Sequence, residues 1–289
     1  GAVNNITYGI LWARATTGDP FESVLELRKA DDKAQALFDN CFKVLDGPHA
    51  PNLSIQEMEN ELIISVFNSS ASNNKNEDYA ELDPFIVNVD NDPNFDNYYR
   101  FQGYQVFQLA DETVSPTELG DVNRARLVFQ VDIKDSVDKL VNYVYDDVIG
   151  SSMPSVKVDG ENTGIRHSFH VTEDLFATGD RKLVNFKRYH YMAIAYASNE
   201  YKIYNPEDPT ALNGLKIPYM PSRKAATGEV IAYEGIPHNP APENGGTNFF
   251  VDYGYELPLT RIDGWGNGGL WTEISDESET EILSAVSVN

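Results

Sequence analysis

The sequence predicts a mainly-β protein organised as a β-sandwich, and three observations carry that prediction. The segments at 103–109 (GYQVFQL) and 188–197 (RYHYMAIAYA) are rich in aromatic and β-branched residues, and the first alternates with the two-residue period of a half-buried strand. Further strand-like runs recur along the chain between turn-forming stretches. The one long segment with helical apolar spacing lies early, at 21–42.

In order, 6–13 reads as a strand and 21–42 as helical, with a break near Ala30-Asp31-Asp32 where an Asp can cap a second helix. Pro48 and Pro51 then stop regular structure, because two prolines within four residues suit neither a helix nor a central strand. Strands follow at 53–58 and 61–67, turning near Glu59-Asn60; 68–78 is Ser/Asn-rich and reads as a loop. Strands are expected again at 99–109, 126–132, 137–145 and 165–171, with a helical turn near 173–176 and the strong strand at 188–197. The segment 204–246 is dense in Pro and Gly and reads as an ordered but irregular strap with one strand at 229–233. The organisation is a strand–helix element and linker at 1–50, the sandwich at 51–204, and the strap with a C-terminal β segment at 205–289.

Tyr104 and Tyr191 are 87 positions apart. An ordinary sandwich of roughly 100 residues leaves about half that between corresponding strands. Insertions are therefore expected at 111–123 and 146–162, with a central barrel as the alternative architecture.

Composition narrows the function classes. Forty-one per cent hydrophobic and 23% charged residues describe a folded chain, but 45 acidic against 22 basic residues give a net charge of -23. Such a surface repels nucleic-acid phosphates and anionic membranes, so neither nucleic-acid binding nor membrane insertion is expected. It suits an outer-surface or extracellular protein, or one that takes up Ca²⁺; acidity also serves plain solubility. Cys41 is the single cysteine, which rules out an intrachain disulfide, and its helical surroundings suit a small buried apolar residue. Gly1-Ala2-Val3 lacks the basic start and apolar core of a secretory signal, a lack that carries no weight here.

The two strong segments look like the C and F strands of a fibronectin type III-like (Ig-like) sandwich. Five blocks extend the likeness: ADDKAQALFDN at 30–40, YRFQGYQVFQL at 99–109, DGENTGIRHSF at 159–169, YHYMAIAY at 189–196 and TRIDGWGNGG at 260–269. As a set they resemble an uncharacterised segment of large Bacteroidota surface proteins exported by type IX secretion. The resemblance implies an extracellular, cell-surface part of a multidomain protein with no assigned catalytic residue. The family's sorting domain is not visible, since the stretch from Ser284 to Asn289 lacks its glycine-rich, basic finish.

Several constellations invite chemistry. Asp90, Asp92, Asn94 and Asp96 concentrate hard oxygen ligands and are the candidate calcium site, with Asp83 just upstream. The EF-hand pattern fails, because Phe95 stands where Gly is needed and Phe101 where a bidentate carboxylate is needed; the competing reading is a solvated acidic loop of Asx-turns. His167-Ser168-Phe169-His170 lies on a strand, where residues three apart face opposite ways, so the two histidines do not share an ion. His190 could pair with one of them. Among 45 acidic residues a carboxylate pair of the glycosidase kind arises by chance proximity, and the sequence locates no cleft for one. The glycine run 264–269 lacks the Lys and Ser/Thr of a phosphate loop, and Trp265 is expected to pack back on the sandwich from a tight turn. Asp135-Ser136-Val137 resembles the short Bacteroidota O-glycosylation motif, with Ser136 as its acceptor.

Tyr104, Tyr189 and Tyr191 are expected to be structural, with Tyr189 or Tyr191 forming a tyrosine corner through a hydroxyl bond to upstream backbone. The expected function is a non-enzymatic extracellular module, a structural spacer or interaction platform within a larger secreted protein. Its partners are then neighbouring domains of the same polypeptide, and a surface protein or glycan. The alternative is a carbohydrate-binding module of a polysaccharide-degrading system, which calls for an exposed coplanar row of Tyr or Trp. Buried aromatics favour the spacer.

Overall fold

The computed structural model describes residues 9–15, 20–39, 45–86, 88, 92–146, 148–208, 211–212, 214–243, 245–246, 253–254, 262–263 and 273–285. The described residues are mainly β, with 35% strand and 13% helix, antiparallel sheets and a curled half-barrel. A helix, α1 (Pro20–Asp39), precedes the strands and runs without the expected break at Ala30-Asp31-Asp32. Two Asp residues cost under about 0.7 kcal/mol each in a helix interior, too little to interrupt a ladder already formed. Residues 9–13 form no strand, and 6–8 lie outside the described residues, as does Cys41.

The strands are β1 (Asn52–Met58), β2 (Glu61–Phe67), β3 (Ala80–Leu82), β4 (Tyr98–Leu109), β5 (Ala125–Asp132), β6 (Lys139–Asp146), β7 (Ser151–Asp159), β8 (Ser168–Val171), β9 (Tyr189–Ser198), β10 (Tyr219–Pro221), β11 (Tyr233–Gly235), β12 (Ile262–Asp263) and β13 (Glu273–Ile274). One sheet has the order β1-β2-β8. Leu62 and Ile64 of β2 stand opposite Val171 and Phe169 of β8, and all four are buried, so one face of the pair is apolar. Asn60 closes the β1–β2 turn at φ 60, a left-handed conformation that Asn tolerates. The other large sheet has the order β10-β9-β4-β3, with β5 also on β4 and β11 on β9. β12 pairs with β13. A second helix, α2 (Asp276–Ala285), follows Ser275, whose hydroxyl accepts the Ser278 amide, and carries Asp276, Glu277 and Glu279 in its first turn, where the helix dipole favours them.

β4 and β9 are buried on both faces, not on one. Their register sets Phe107 opposite Met192 and Gln105 opposite Ile194. On that face Phe107, Leu109, Met192 and Ile194 are covered by Val114 and Leu119 from the insertion at 111–123 and by Val230 and Ala232 from the strap. Farther along, Tyr196 packs with Tyr219 and with Leu140 and Val158 of the β6–β7 hairpin. The insertions thus fold back over a sheet face that would otherwise meet water. Gln105, on the same face, is satisfied by Gln130, the Lys157 carbonyl and the Tyr219 hydroxyl at 2.8–2.9 Å. Gly103 is obligatory where these layers meet: a Cβ there would run into the Val131 carbonyl and lie 2.6 Å from the Tyr196 hydroxyl.

The stretch 146–162, expected as an irregular insertion, contains β7, which pairs with β6 along its whole length. The missed strand is mostly exposed, holds Pro154 and three serines, and so lacks an apolar alternation to betray it. Near 173–176 the chain makes a turn and no helix, and the strand expected at 229–233 begins only at Tyr233.

The chain divides into two compact units: the first comprises Gly1–Ser54, Val66–His167 and His190–Tyr233, the second Ile55–Ser65, Ser168–Tyr189 and Glu234–Asn289.

Candidate functional site

Within the first unit, the end of β2, the loop 68–78 and the residue before β8 converge on one polar pocket. It is a shallow depression, largely open to solvent, with a volume of ≈ 380 Å³, and is lined by Val66, Phe67, Asn68, Lys75, Asn76, Glu77 and His167. Pairing fixes its two sides, because the Val66 amide donates to the His167 carbonyl at 2.7 Å. The loop is tied down by its own Ser and Asn residues: Ser72 N–H donates to the Ser69 carbonyl, Asn73 exchanges bonds with His49, and the Asn73 amide donates to the Gly47 carbonyl.

Bonded to two of these lining residues is Tyr104 of β4, 1% exposed. Its hydroxyl donates to Glu77 Oε1 at 3.0 Å and accepts from Asn68 Nδ2 at 2.6 Å. Burial, and next the charge of Glu77, push the Tyr104 hydroxyl far above its ordinary pKa, so it stays protonated and remains a donor. His167 Nε2 meets the same Glu77 oxygen at 2.6 Å, which places imidazole, carboxylate and phenol in one chain of bonds. Glu77 holds this position at φ 61, a left-handed conformation uncommon for a residue other than Gly, Asn or Asp. Asn68 Oδ1, Ser69 Oγ and Asn74 Nδ2 are buried in the same loop without hydrogen-bond partners among the described residues. Phe67, 48% exposed, supplies an apolar wall beside these groups.

The sequence-derived candidates are dispersed. Asp90 lies outside the described residues. Asp92 accepts the Asn94 amide at 2.9 Å and the Tyr201 hydroxyl at 2.8 Å, bonds that hold its carboxyl below the usual range. Asp96 accepts the Tyr98 amide and pairs with Arg100 at 2.5 Å. Asn94 thus enters through its backbone, and the described stretch 92–98 holds two Asx-turns. Among the described residues no group of three or more His, Cys, Asp or Glu is disposed to hold a metal ion. His170 turns away from His167, as strand alternation requires, and meets Glu61 Oε2 at 2.7 Å. Ser136 sits exposed in a turn at φ 77. Tyr189 receives the Val184 amide on its hydroxyl at 2.9 Å, five residues upstream, and Tyr191 is fully buried. Trp265 and the glycine run around it lie outside the described residues.

The buried carboxylate of Asp132, 1% exposed, takes the Asn162 amide on both oxygens, at 3.1 and 3.0 Å. Burial, with the charges of Asp135 and Glu161 behind it, holds its pKa above the ordinary value. Sequence reasoning missed Glu77 and Asn68, which sit in a stretch of loop composition and meet His167 only because β2 pairs with β8.

No protein-family model matches the chain, no curated protein matches it, and no solved structure matches it.

Proposed function

We propose that this chain is a non-enzymatic extracellular module, fibronectin type III-like in connectivity, that serves as a spacer and interaction platform in a larger surface protein. The observation that carries the reading is the fate of its tyrosines. Tyr99, Tyr104, Tyr191 and Tyr196 are at most 2% exposed, so these tyrosines of β4 and β9 build a core and are not presented for stacking on a polysaccharide. The connectivity supports the same reading. One sheet is three-stranded, β1-β2-β8, and another is six-stranded, with β10, β9, β4 and β5 as successive neighbours, β3 also on β4 and β11 also on β9; in this reading β1, β2 and β8 are strands A, B and E, and β5, β4, β9 and β10 are C′, C, F and G. The net charge of -23 suits a displayed surface, and recognition then falls to loops carried on the rigid strands.

The test is surface display. An antibody raised against the folded chain should label intact, unpermeabilised cells that make the protein, and mild protease treatment should remove the label. Labelling only after permeabilisation would overturn the reading.

A further inference from the structure

We infer that the pocket beside Glu77 is a binding site for one neutral sugar ring. Its walls carry both signs of charge. Lys75 and Glu77 bring opposite charges into one small space, so a free anion meets the carboxylate and a free cation meets the ammonium; the pair favours a ligand without net charge. Glu77 is pre-aimed, since Tyr104 and His167 both engage its Oε1 and leave Oε2 to accept from a ligand hydroxyl. Asn76, exposed at the rim, offers an amide with both donor and acceptor character. Phe67 presents an apolar ring beside them. Closely spaced donors and acceptors next to one aromatic face match the alternating hydroxyls and apolar C–H face of a pyranose. A volume of ≈ 380 Å³ lies at the small end of ligand pockets and matches one sugar residue.

This differs from a planar polysaccharide-binding face, which needs several exposed aromatics; a pocket needs one. The inference is also independent of where the module is displayed, so its failure leaves the spacer reading standing.

The experiment is an amide chemical-shift titration of the full chain with glucose, galactose, mannose and N-acetylglucosamine, and with glucuronate and glucosamine as charged controls. At least one neutral sugar is expected to shift the amides of Phe67, Asn68, Glu77 and His167, saturating with a dissociation constant near 1 mM or below. The charged controls should bind at least about tenfold more weakly. Phe67→Ala and Asn76→Ala, both at exposed positions and checked for unchanged melting, should each weaken binding by about tenfold. Absence of saturable shifts with all four neutral sugars overturns the inference. So do shifts centred elsewhere, shifts retained in both variants, or tighter binding of a charged control.

Discussion

Tyr189 illustrates what one side chain does here. Its hydroxyl accepts the Val184 amide and its ring lies 4.9 Å from Lys187 Nζ, while Lys187 itself reaches Asp174 at 2.7 Å. Replacing Tyr189 with Phe keeps the ring and the cation–π contact but strands the Val184 N–H. The expected cost is about 1 kcal/mol, read from urea unfolding midpoints at unchanged slope. A neutral Tyr189→Phe would mean that the hydroxyl bond carries no stability. The position of this tyrosine at the start of a strand was legible in the sequence, because aromatic alternation marks a strand. The direction of its bond was not, since a hydroxyl both donates and accepts. Glu77 was illegible for a different reason: its role depends on His167, 90 residues away, and on a left-handed backbone that composition does not encode.

At the scale of elements, the strands with the strongest sequence signal, β4 and β9, were placed to within a residue or two of their ends. Their burial on both faces was not foreseen. Periodicity reports one apolar face, whereas the second face of β4 is covered by segments whose own sequences look like loops, at 111–123 and 230–232. The β6–β7 hairpin shows the limit most clearly. Its root is buried through Leu140 and Val158, each 1% exposed, while Val144, Tyr145, Val148, Ile149 and Met153 are exposed towards its tip. Leu140→Ala should therefore cost about 2–4 kcal/mol, by lost transfer energy plus the cavity left behind. Val148→Ser, at a site 96% exposed, should change stability by less than about 0.5 kcal/mol. Thermal melts of the two variants check this. Equal effects would contradict the division into an anchored root and a free tip.

For the whole molecule, charge sets the response to pH. His238 has its pKa raised, first by the Ile236 carbonyl and then by Glu243 and Glu57, which outweigh the lowering by burial. A raised histidine stabilises fully below its unfolded value near 6.5 and loses that contribution as pH rises through the folded value. Asp83, Asp132 and Glu200 are raised mainly by burial, so their ionisation costs stability, and the cost is relieved as pH falls through their folded values. In the opposite sense, Asp111, held at about 2 mainly by its Thr113 bonds, and Glu118, lowered by Ser115, contribute above their unfolded values and fade only as pH falls below them. The melting midpoint should therefore peak in mild acid, between about pH 4.5 and 6.5, and decline towards pH 8. A maximum at or above pH 8 would contradict these assignments.

The paired strands β4 and β9, rich in buried tyrosine, form the frame of the first unit. Native-state hydrogen exchange tests that frame most directly. The amides of β4 from Tyr104 to Leu109 and of β9 from Tyr191 to Ala197 should be the slowest in the chain and exchange only through global unfolding, while the loop 68–78 exchanges through local opening. Fast exchange in β4 and β9 by local opening, with protection concentrated elsewhere, would contradict it.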